Sequence, residues 1–226
     1  MEIGIVGKPN VGKSTFFKAL TLAEAEIANF PFTTIEANIG VGYVRVECPC
    51  KSLGKKCNPQ NSFCLEGNRF IPVKLIDVAG LVPGAHEGKG LGNKFLDELR
   101  RAHALIHIVD ISGRTNEKGE LTESYDPEKD ISFLEEEIDA WFYEILKRNW
   151  EKIWRKVKYQ KNKNIFLELA EILAGLGITK EQVKKVLKEF NLENKELPSE
   201  ELKELAITLR KTSKPILISA NKIDLD

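Results

Sequence analysis

The chain has 226 residues, of which 34 are lysine or arginine and 34 are aspartate or glutamate. This length suits one domain with an insertion or two small domains, and the balanced charge excludes a nucleic-acid partner recognised by bulk charge, so such a surface requires local clustering. No apolar run approaches the roughly 20 residues that span a bilayer, and residues 1–6 carry an acid and lead directly into a strand-like segment, which excludes a signal peptide and predicts a cytoplasmic protein.

Strand-like and helical segments then alternate along much of the chain. A buried strand over residues 2–6 precedes a glycine-rich loop and a helix from about Lys13 to Leu22. Further predicted elements are strands over 35–47, 70–77, 105–109 and 216–220 and a helix over 93–102. This alternation predicts an α/β fold with a mostly parallel sheet and helices on both faces.

A run of helical patterns interrupts this alternation. Asp130 is a candidate cap for a long helix that reaches Gln160, and helical spacing recurs over 165–174, 179–190 and 199–212. The predicted organisation is a first part of the α/β domain, a helical insertion and a continuation of the α/β domain, over residues 1–125, 126–198 and 199–226.

The glycine-rich loop carries a phosphate-binding motif. Residues 7–14 read G-K-P-N-V-G-K-S, which matches G-x-x-x-x-G-K-S between a strand and a helix, the context that this motif requires. Its backbone N–H groups would approach phosphate oxygens, Lys13 would reach the β- and γ-phosphates, and Ser14 would ligate Mg²⁺. The alternative, a chance match in a loop, is disfavoured by this position. The candidate nucleotide-binding residues of the loop are Gly7, Pro9, Asn10, Val11, Gly12, Lys13, Ser14 and Thr15.

Two later segments are typical of the same kind of site. A D-V-A-G sequence begins at Asp77 after a buried strand; Asp77 would hold Mg²⁺ and the Gly80 N–H would bond to the γ-phosphate, with an ordinary Asp–Gly turn as the alternative. An N-K-I-D sequence begins at Asn221 after another strand. There the Asp224 carboxylate can accept hydrogen bonds from guanine, Asn221 can tie this loop to the phosphate loop, and the Lys222 stem can lie along the base. The order of the three motifs favours GTP over ATP.

These motifs together resemble the Ras-like GTPase superfamily, and the sequences at 29–34 (N-F-P-F-T-T), 77–85 (D-V-A-G-L-V-P-G-A) and 88–93 (G-K-G-L-G-N) are similar to the YchF-related branch of the Obg family. The resemblance implies a Mg²⁺-dependent GTPase switch associated with the ribosome or RNA. Many YchF proteins have N-x-x-E and prefer ATP, whereas N-K-I-D resembles the archaeal and fungal branch that keeps GTP. The family's next motif would follow Asp226, so the GTPase domain is expected to be incomplete at its C-terminus. A nucleotide-regulated scaffold with negligible turnover and an ATPase are the alternatives.

The resemblance also implies residues for hydrolysis. A switch threonine, Thr34 or alternatively Thr33, completes the Mg²⁺ shell. Leu81 stands where Ras-type enzymes place a water-orienting glutamine, so hydrolysis is expected to be slow. Asn10 matches an asparagine that helps to bind K⁺ in related GTPases, or is a turn residue, and His86 orients water or is a loop histidine. The candidate catalytic residues are therefore Lys13, Asn10, Gly80 and His86.

Four cysteines lie within one segment, residues 48–67, which is interpreted as an inserted loop. Cys48, Cys50, Cys57 and Cys64 are spaced C-x-C-x₆-C-x₆-C, with the first pair closer than is usual for zinc ligands. Three interpretations are open: a tetrahedral Zn²⁺ site, two disulfides as in hyperthermophile cytosolic proteins, or four reduced thiols. The role is structural in each case.

A basic stretch within the helical insertion is the candidate RNA surface. Residues 147–163 include eight lysines or arginines and one acid, with Trp150, Trp154 and Tyr159 interleaved. Such a surface can follow RNA phosphates and stack on exposed bases. The alternative is that the aromatic side chains pack inside the insertion and the basic side chains are solvated.

Overall fold

The computed structural model describes residues 1–21, 39–78, 92–159, 164–190 and 196–225. The strands are β1 (Glu2–Val6), β2 (Ile39–Glu47), β3 (Phe63–Leu65), β4 (Asn68–Asp77), β5 (Ala104–Asp110) and β6 (Ile216–Asn221). The helices are α1 (Lys13–Thr21), α2 (Cys50–Leu53), α3 (Gly92–Arg101), α4 (Glu128–Tyr159), α5 (Ile165–Ala174), α6 (Lys180–Glu189) and α7 (Ser199–Ser213), followed by a 3₁₀ helix (Ile223–Leu225). No helix within these ranges is long and apolar enough to cross a membrane.

One mixed sheet organises the strands in the order β2-β4-β1-β5-β6, with β3 paired to the start of β4. The β1–β4, β1–β5 and β5–β6 pairs are parallel, and β2 and β3 pair antiparallel with β4. The prediction of a mostly parallel α/β sheet is therefore confirmed. Because parallel strands end at the same edge, the carboxyl ends of β4, β1, β5 and β6 lie side by side, which is where open α/β sheets bind ligands.

Helices cover both faces of the sheet. Ile5 and Val6 of β1 are fully buried on opposite faces, because successive side chains of a strand alternate. Ile5 packs with a cluster that includes Phe16 and Phe17 of α1. Val6 belongs to a larger core that extends through α3, α4, α5, α6 and α7. The segment predicted as a helical insertion thus shares its core with the sheet.

The long helix α4 begins earlier than its predicted cap. Asp130 is a buried residue within the first turn, and the Asp126 carboxylate instead accepts the backbone N–H of Glu128. The prediction that Asp130 caps the helix is therefore wrong, because its side chain turns inward to a cation. The 32 residues of α4 give a helix about 48 Å long.

Helices α4 and α7 are joined by a buried ion pair. The Arg210 guanidinium donates from Nε and Nη2 to the two carboxylate oxygens of Asp139, at 2.6 and 3.0 Å. This two-point geometry is the strong form of an arginine–carboxylate contact. It fixes the helix that leads directly into β6 and the loop with Asp224.

Candidate functional site

The loop between β1 and α1 has the backbone shape that its glycines allow. Gly12 has a φ of 91°, and a Cβ there would lie 2.4 Å from Nδ2 of Asn221. Asn10 also has a positive φ, 65°, a conformation that asparagine tolerates better than most residues. Lys13 is the first residue of α1, so the N–H groups of the helix N-terminus face the same space as the loop.

The ends of β1 and β4 bring together three side chains that sequence analysis assigned to one site. The Lys13 ammonium donates to the Asp77 carboxylate at 2.6 Å and to the Val78 carbonyl at 2.7 Å. The Ser14 hydroxyl donates to the other Asp77 oxygen at 3.2 Å. Lys13 and Asp77 are each partly exposed. A cation, a hydroxyl and a carboxylate therefore meet beside the helix N-terminus, a combination suited to a phosphate with a hard divalent ion.

The loop after β6 is attached to the phosphate loop. Asn221 donates from Nδ2 to the Val11 carbonyl at 2.7 Å, and these residues are 210 positions apart in the sequence. Asp224 lies in the following 3₁₀ helix and is exposed. The two motifs predicted to contact the base and the phosphates are thus held at one edge of the sheet.

Asp110 at the end of β5 contacts the loop after β6 through Lys222. Its carboxylate is buried and lies 2.8 Å from Nζ of Lys222. Burial raises the pKa of Asp110, but hydrogen bonds from Lys222, Ser112 and Thr115 outweigh it and bring the pKa to about 2. Asp110 is therefore ionised at neutral pH and fixes Lys222, which has a positive φ of 60°. Asp110 was not among the residues predicted from the sequence, although its position at a strand end is the same as that of Asp77.

A buried cation connects the phosphate loop to α4. The Lys8 ammonium lies 2.8 Å from Oδ2 of Asp130, donates to the Thr115 carbonyl at 2.8 Å and stands 4.1 Å from the centre of the Tyr125 ring. The Tyr125 hydroxyl donates to the other oxygen of Asp130 at 2.9 Å. This network was not predicted from the sequence, because nothing in the local pattern pairs Lys8 with a residue more than 100 positions away.

His107 lies against the same cation. It is buried on β5 beside Val6, and it lines a small cavity with Lys8 and Asp130. Burial, with a smaller contribution from the positive charge of Lys8, lowers the pKa of His107 to about 4. The imidazole is therefore neutral in the folded protein throughout the physiological range.

His107 is expected to make stability fall as the pH decreases from about 6.5 towards 4. The unfolded chain binds a proton on His107 below about 6.5, whereas the folded chain binds it only near 4, and this difference corresponds to about 3 kcal/mol. Urea unfolding at pH 7.5, 6.5, 5.5 and 5.0 should show a slope that His107→Leu reduces. The matched control is His103→Leu, at an exposed position. An equal slope in His107→Leu and in the parent would contradict the lowered pKa of His107.

Asn10 belongs to the phosphate loop and also to a contact with the hairpin after β5. Its side-chain nitrogen donates to the Gly119 carbonyl at 2.9 Å. Gly119 has a φ of 77°, and a Cβ there would lie 2.5 Å from the Pro9 carbonyl oxygen. This contact supports the turn role of Asn10 and uses its nitrogen, which leaves the amide oxygen as the atom suited to a cation.

Several predicted residues lie outside the described ranges. These are the switch threonines, the glycine of the second motif, the leucine after it and the candidate water-orienting histidine, namely Thr33, Thr34, Gly80, Leu81 and His86. Their roles stay predictions.

The four cysteines form one cluster at the far end of the β2–β4 ribbon. Their sulfur atoms all lie within 4.8 Å of one another, and all four cysteines are free. Cys48 is fully buried. The segment interpreted as an inserted loop includes α2, which carries Cys50, and β3, which carries Cys64, and the sulfur atoms of these two cysteines lie 3.7 Å apart. Such a cluster could bind a metal such as zinc.

The basic stretch on α4 divides into two parts. Trp150 is buried, and Lys156 forms an ion pair of 2.6 Å with the buried Glu168. Tyr159 is 75% exposed. Of the two interpretations left open by the sequence, Trp150 follows the one in which an aromatic side chain packs inside the insertion, whereas Tyr159 does not. The exposed basic residues within the described part are Lys147, Arg148, Lys152, Arg155 and Lys158.

Comparisons with known proteins place these features in a family. Residues 2–144 match the family model described as 50S ribosome-binding GTPase. A GTP-binding protein of Methanocaldococcus jannaschii is 54% identical over 98% of this chain and 56% of its own length. The ribosome-binding ATPase YchF of Bacillus subtilis is 37% identical over 98% of this chain and 56% of its own.

A solved structure gives the same result for the fold. The crystal structure of a GTP binding protein from Pyrococcus horikoshii matches with a TM-score of 0.80 and 42% identity, covering 99% of this chain and 57% of that one. The chain thus spans a little over half the length of these relatives.

Proposed function

Because the chain belongs to the 50S ribosome-binding GTPase family, we propose that it binds GTP with Mg²⁺ and hydrolyses it slowly to GDP and phosphate as a molecular switch. The observation that carries this proposal is the meeting of Lys13, Ser14 and Asp77 within hydrogen-bonding distance at the end of two parallel strands. The attachment of Asn221 to Val11 adds a base-recognition loop at the same edge.

The residues of the phosphate loop fit a triphosphate. Lys13 would exchange the Asp77 carboxylate for the β- and γ-phosphate oxygens, and the backbone N–H groups from Gly7 to Ser14 would enclose them. Ser14 and Asp77 offer the hard oxygen ligands that Mg²⁺ requires, and Thr34 is proposed to complete the set. Mg²⁺ held by these residues would supply positive charge against the negative charge that develops during phosphoryl transfer. Thr15 and Pro9 complete the proposed contacts of the loop.

Guanine is the proposed base. The Asp224 carboxylate can accept hydrogen bonds from both guanine N1–H and the exocyclic amine, whereas adenine offers no such pair of donors. One relative is named as an ATPase, so ATP is the competing substrate. Asp224 in the N-K-I-D motif favours GTP, and its side chain is exposed and accessible to a base.

The chemistry of hydrolysis is proposed to depend on a monovalent cation. Leu81 has no hydrogen-bonding group to position water, so charge between the β- and γ-phosphates needs another source of stabilisation. The Asn10 amide oxygen is a suitable hard ligand for K⁺, because the amide nitrogen is held by Gly119. Gly80 would bond to the γ-phosphate, and His86 is the weaker candidate for orienting water.

Multiple-turnover phosphate release from GTP tests this proposal. At equal ionic strength, KCl should accelerate turnover of the parent protein at least about tenfold over NaCl. Asn10→Ala should lose this acceleration and largely retain GTP affinity, while Asn149→Ala on α4 serves as the control. Equal rates in both salts would show that K⁺ takes no part in hydrolysis. No phosphate release above background in either salt would favour a scaffold with negligible turnover.

We also propose that α4 binds ribosomal or other RNA through its exposed basic face. The carrying observation is that five basic side chains of one helix segment are exposed beside the exposed Tyr159 ring. Phosphates would pair with the cations and an unstacked base with the ring. Lys156 is excluded from this surface because it neutralises the buried Glu168.

Charge reversal on this face should weaken RNA binding and its salt dependence. Replacing Lys152 and Lys158 with Glu is expected to reduce the slope of log K against log salt by about 1.5. The double variant Lys203→Glu and Lys211→Glu on α7 gives the same change in net charge at exposed positions and should leave the slope unchanged. An unaltered slope in the α4 variant would return these residues to solvated surface.

A further inference from the structure

We propose that Cys48, Cys50, Cys57 and Cys64 bind one Zn²⁺ as four thiolates, with Arg69 as the cation that offsets the charge of the site. All four sulfur atoms lie within 4.8 Å of one another. Four sulfurs at the usual zinc–sulfur distance of about 2.3 Å form a tetrahedron with edges of about 3.8 Å. The Cys48–Cys57 and Cys50–Cys64 sulfur distances, 3.4 and 3.7 Å, are close to that edge.

The cluster is a single site and not two bonded pairs. A disulfide requires sulfur atoms about 2.05 Å apart, and both of these pairs are well beyond that distance. The sulfur atoms of one pair also lie within 4.8 Å of those of the other pair, a proximity that two independent disulfides do not require. Sulfur-only tetrahedral sites favour zinc or iron–sulfur centres, and elemental analysis distinguishes the two.

The backbone around the cluster is ordered to present these sulfurs. The Cys48 N–H donates to the Gly67 carbonyl at 2.9 Å, and the Lys51 N–H donates to the Cys48 carbonyl at 3.1 Å. Helix α2 is capped by Gly54, which has a left-handed conformation and donates its N–H to the Cys50 carbonyl. Cys64 lies on β3 directly opposite Arg69 of β4. The residue after β2, helix α2 and strand β3 are therefore held so that their cysteine sulfur atoms lie close together.

Arg69 supplies the compensating charge. Four thiolates around Zn²⁺ leave a net charge of −2, and such a site needs cations or hydrogen-bond donors nearby. Arg69 donates from Nη2 to the Cys57 sulfur at 3.4 Å. Its Nε is buried without a hydrogen-bond partner among the described residues, an arrangement that a neighbouring anionic cluster makes favourable.

The zinc would replace a hydrophobic core at this end of the molecule. Val44, Val46, Leu65 and Ile71 are exposed on the ribbon. The Phe63 ring stacks on Phe70, with ring centres 4.6 Å apart. Metal binding supplies folding free energy in small elements of this kind. The ribbon tip should therefore depend on the metal, whereas the nucleotide site, at the opposite end of the sheet, should not.

Elemental analysis of protein purified without chelator tests the site. About one zinc per chain is expected, and Cys50→Ser or Cys64→Ser should reduce it below about 0.2, with Ser52→Ala as the control. Co²⁺ exchanged into the site should show the visible bands of tetrahedral thiolate coordination. Iron in place of zinc, a mass lower by four protons, or four titratable thiols with neither Zn²⁺ nor Co²⁺ bound would each overturn the proposal.

The role of Arg69 is tested by metal competition. Arg69→Met should weaken Zn²⁺ binding about 10- to 100-fold against a chelating dye, and Arg69→Lys should recover part of the loss. The matched control is Arg45→Met, at an exposed position on β2. Chelation should abolish amide hydrogen-exchange protection over residues 48–70 and leave GTP affinity unchanged, so failure of the zinc site and failure of the nucleotide site give different results. Equal Zn²⁺ affinity in Arg69→Met and the parent would remove Arg69 from the site.

Discussion

Asp224→Asn is expected to weaken GTP binding by about 10²- to 10⁴-fold. Two hydrogen bonds from guanine to a charged carboxylate contribute about 1.5 to 3 kcal/mol each, and this range of free energy corresponds to that loss of affinity. The asparagine amide presents one donor and one acceptor in place of two acceptors. Xanthine has a carbonyl where guanine has its exocyclic amine, so xanthosine triphosphate should bind the variant better than it binds the parent.

Calorimetric titration of both proteins with both nucleotides measures this exchange. Glu204→Gln, which removes an exposed carboxylate on α7, is the control for a change of charge without a change at the base. The substitution leaves Asn221, which donates to the Val11 carbonyl in the parent, unchanged, so the phosphate loop should keep its shape. Unchanged GTP affinity in Asp224→Asn would remove this residue from base recognition.

Lys8→Met is expected to destabilise the protein by about 3 to 5 kcal/mol. The substitution leaves the Asp130 carboxylate buried without its cation, and unpaired buried charges carry penalties of this size. For a chain of this length the loss should lower the melting temperature by about 6 to 20 °C. Tyr125 would keep its hydrogen bond to Asp130, which offsets only part of the cost.

A double-mutant cycle separates the pair from the individual side chains. Lys8→Met with Asp130→Leu should recover much of the stability lost in either single variant, because two matched apolar groups replace two charges. Lys118→Met, at an exposed lysine in the hairpin after β5, should change the free energy of unfolding by no more than about 0.5 kcal/mol. Stability of Lys8→Met within that same range would show that the ion pair contributes nothing.

The strands and the phosphate loop could be predicted because local pattern determines them. β1 and β5 are short apolar runs, as buried parallel strands usually are, and the loop after β1 needs its glycines for backbone shape. The α4 helix was also readable from periodicity. The predicted start was wrong because aspartate is a common N-cap residue, whereas Asp130 is the buried partner of an ion pair. Only tertiary packing distinguishes these two roles.

Contacts between distant segments could not be predicted from the sequence. Lys8 and Lys156 look like ordinary surface lysines, yet each neutralises a buried carboxylate from another segment. Cysteine spacing left three interpretations open because spacing alone does not say whether four sulfurs converge. Their convergence depends on how β3 folds back along β4, which is a property of the whole ribbon.

Calorimetric titration of the purified protein with GTP, GDP and ATP in Mg²⁺ is the most direct test of the guanine-nucleotide site. The convergence of Lys13, Ser14 and Asp77 with an Asp224-bearing loop predicts tight GTP and GDP binding and ATP binding weaker by at least about 10²-fold. Equal affinity for ATP and GTP would contradict the assignment of guanine specificity, and no binding of any nucleotide would contradict the site itself.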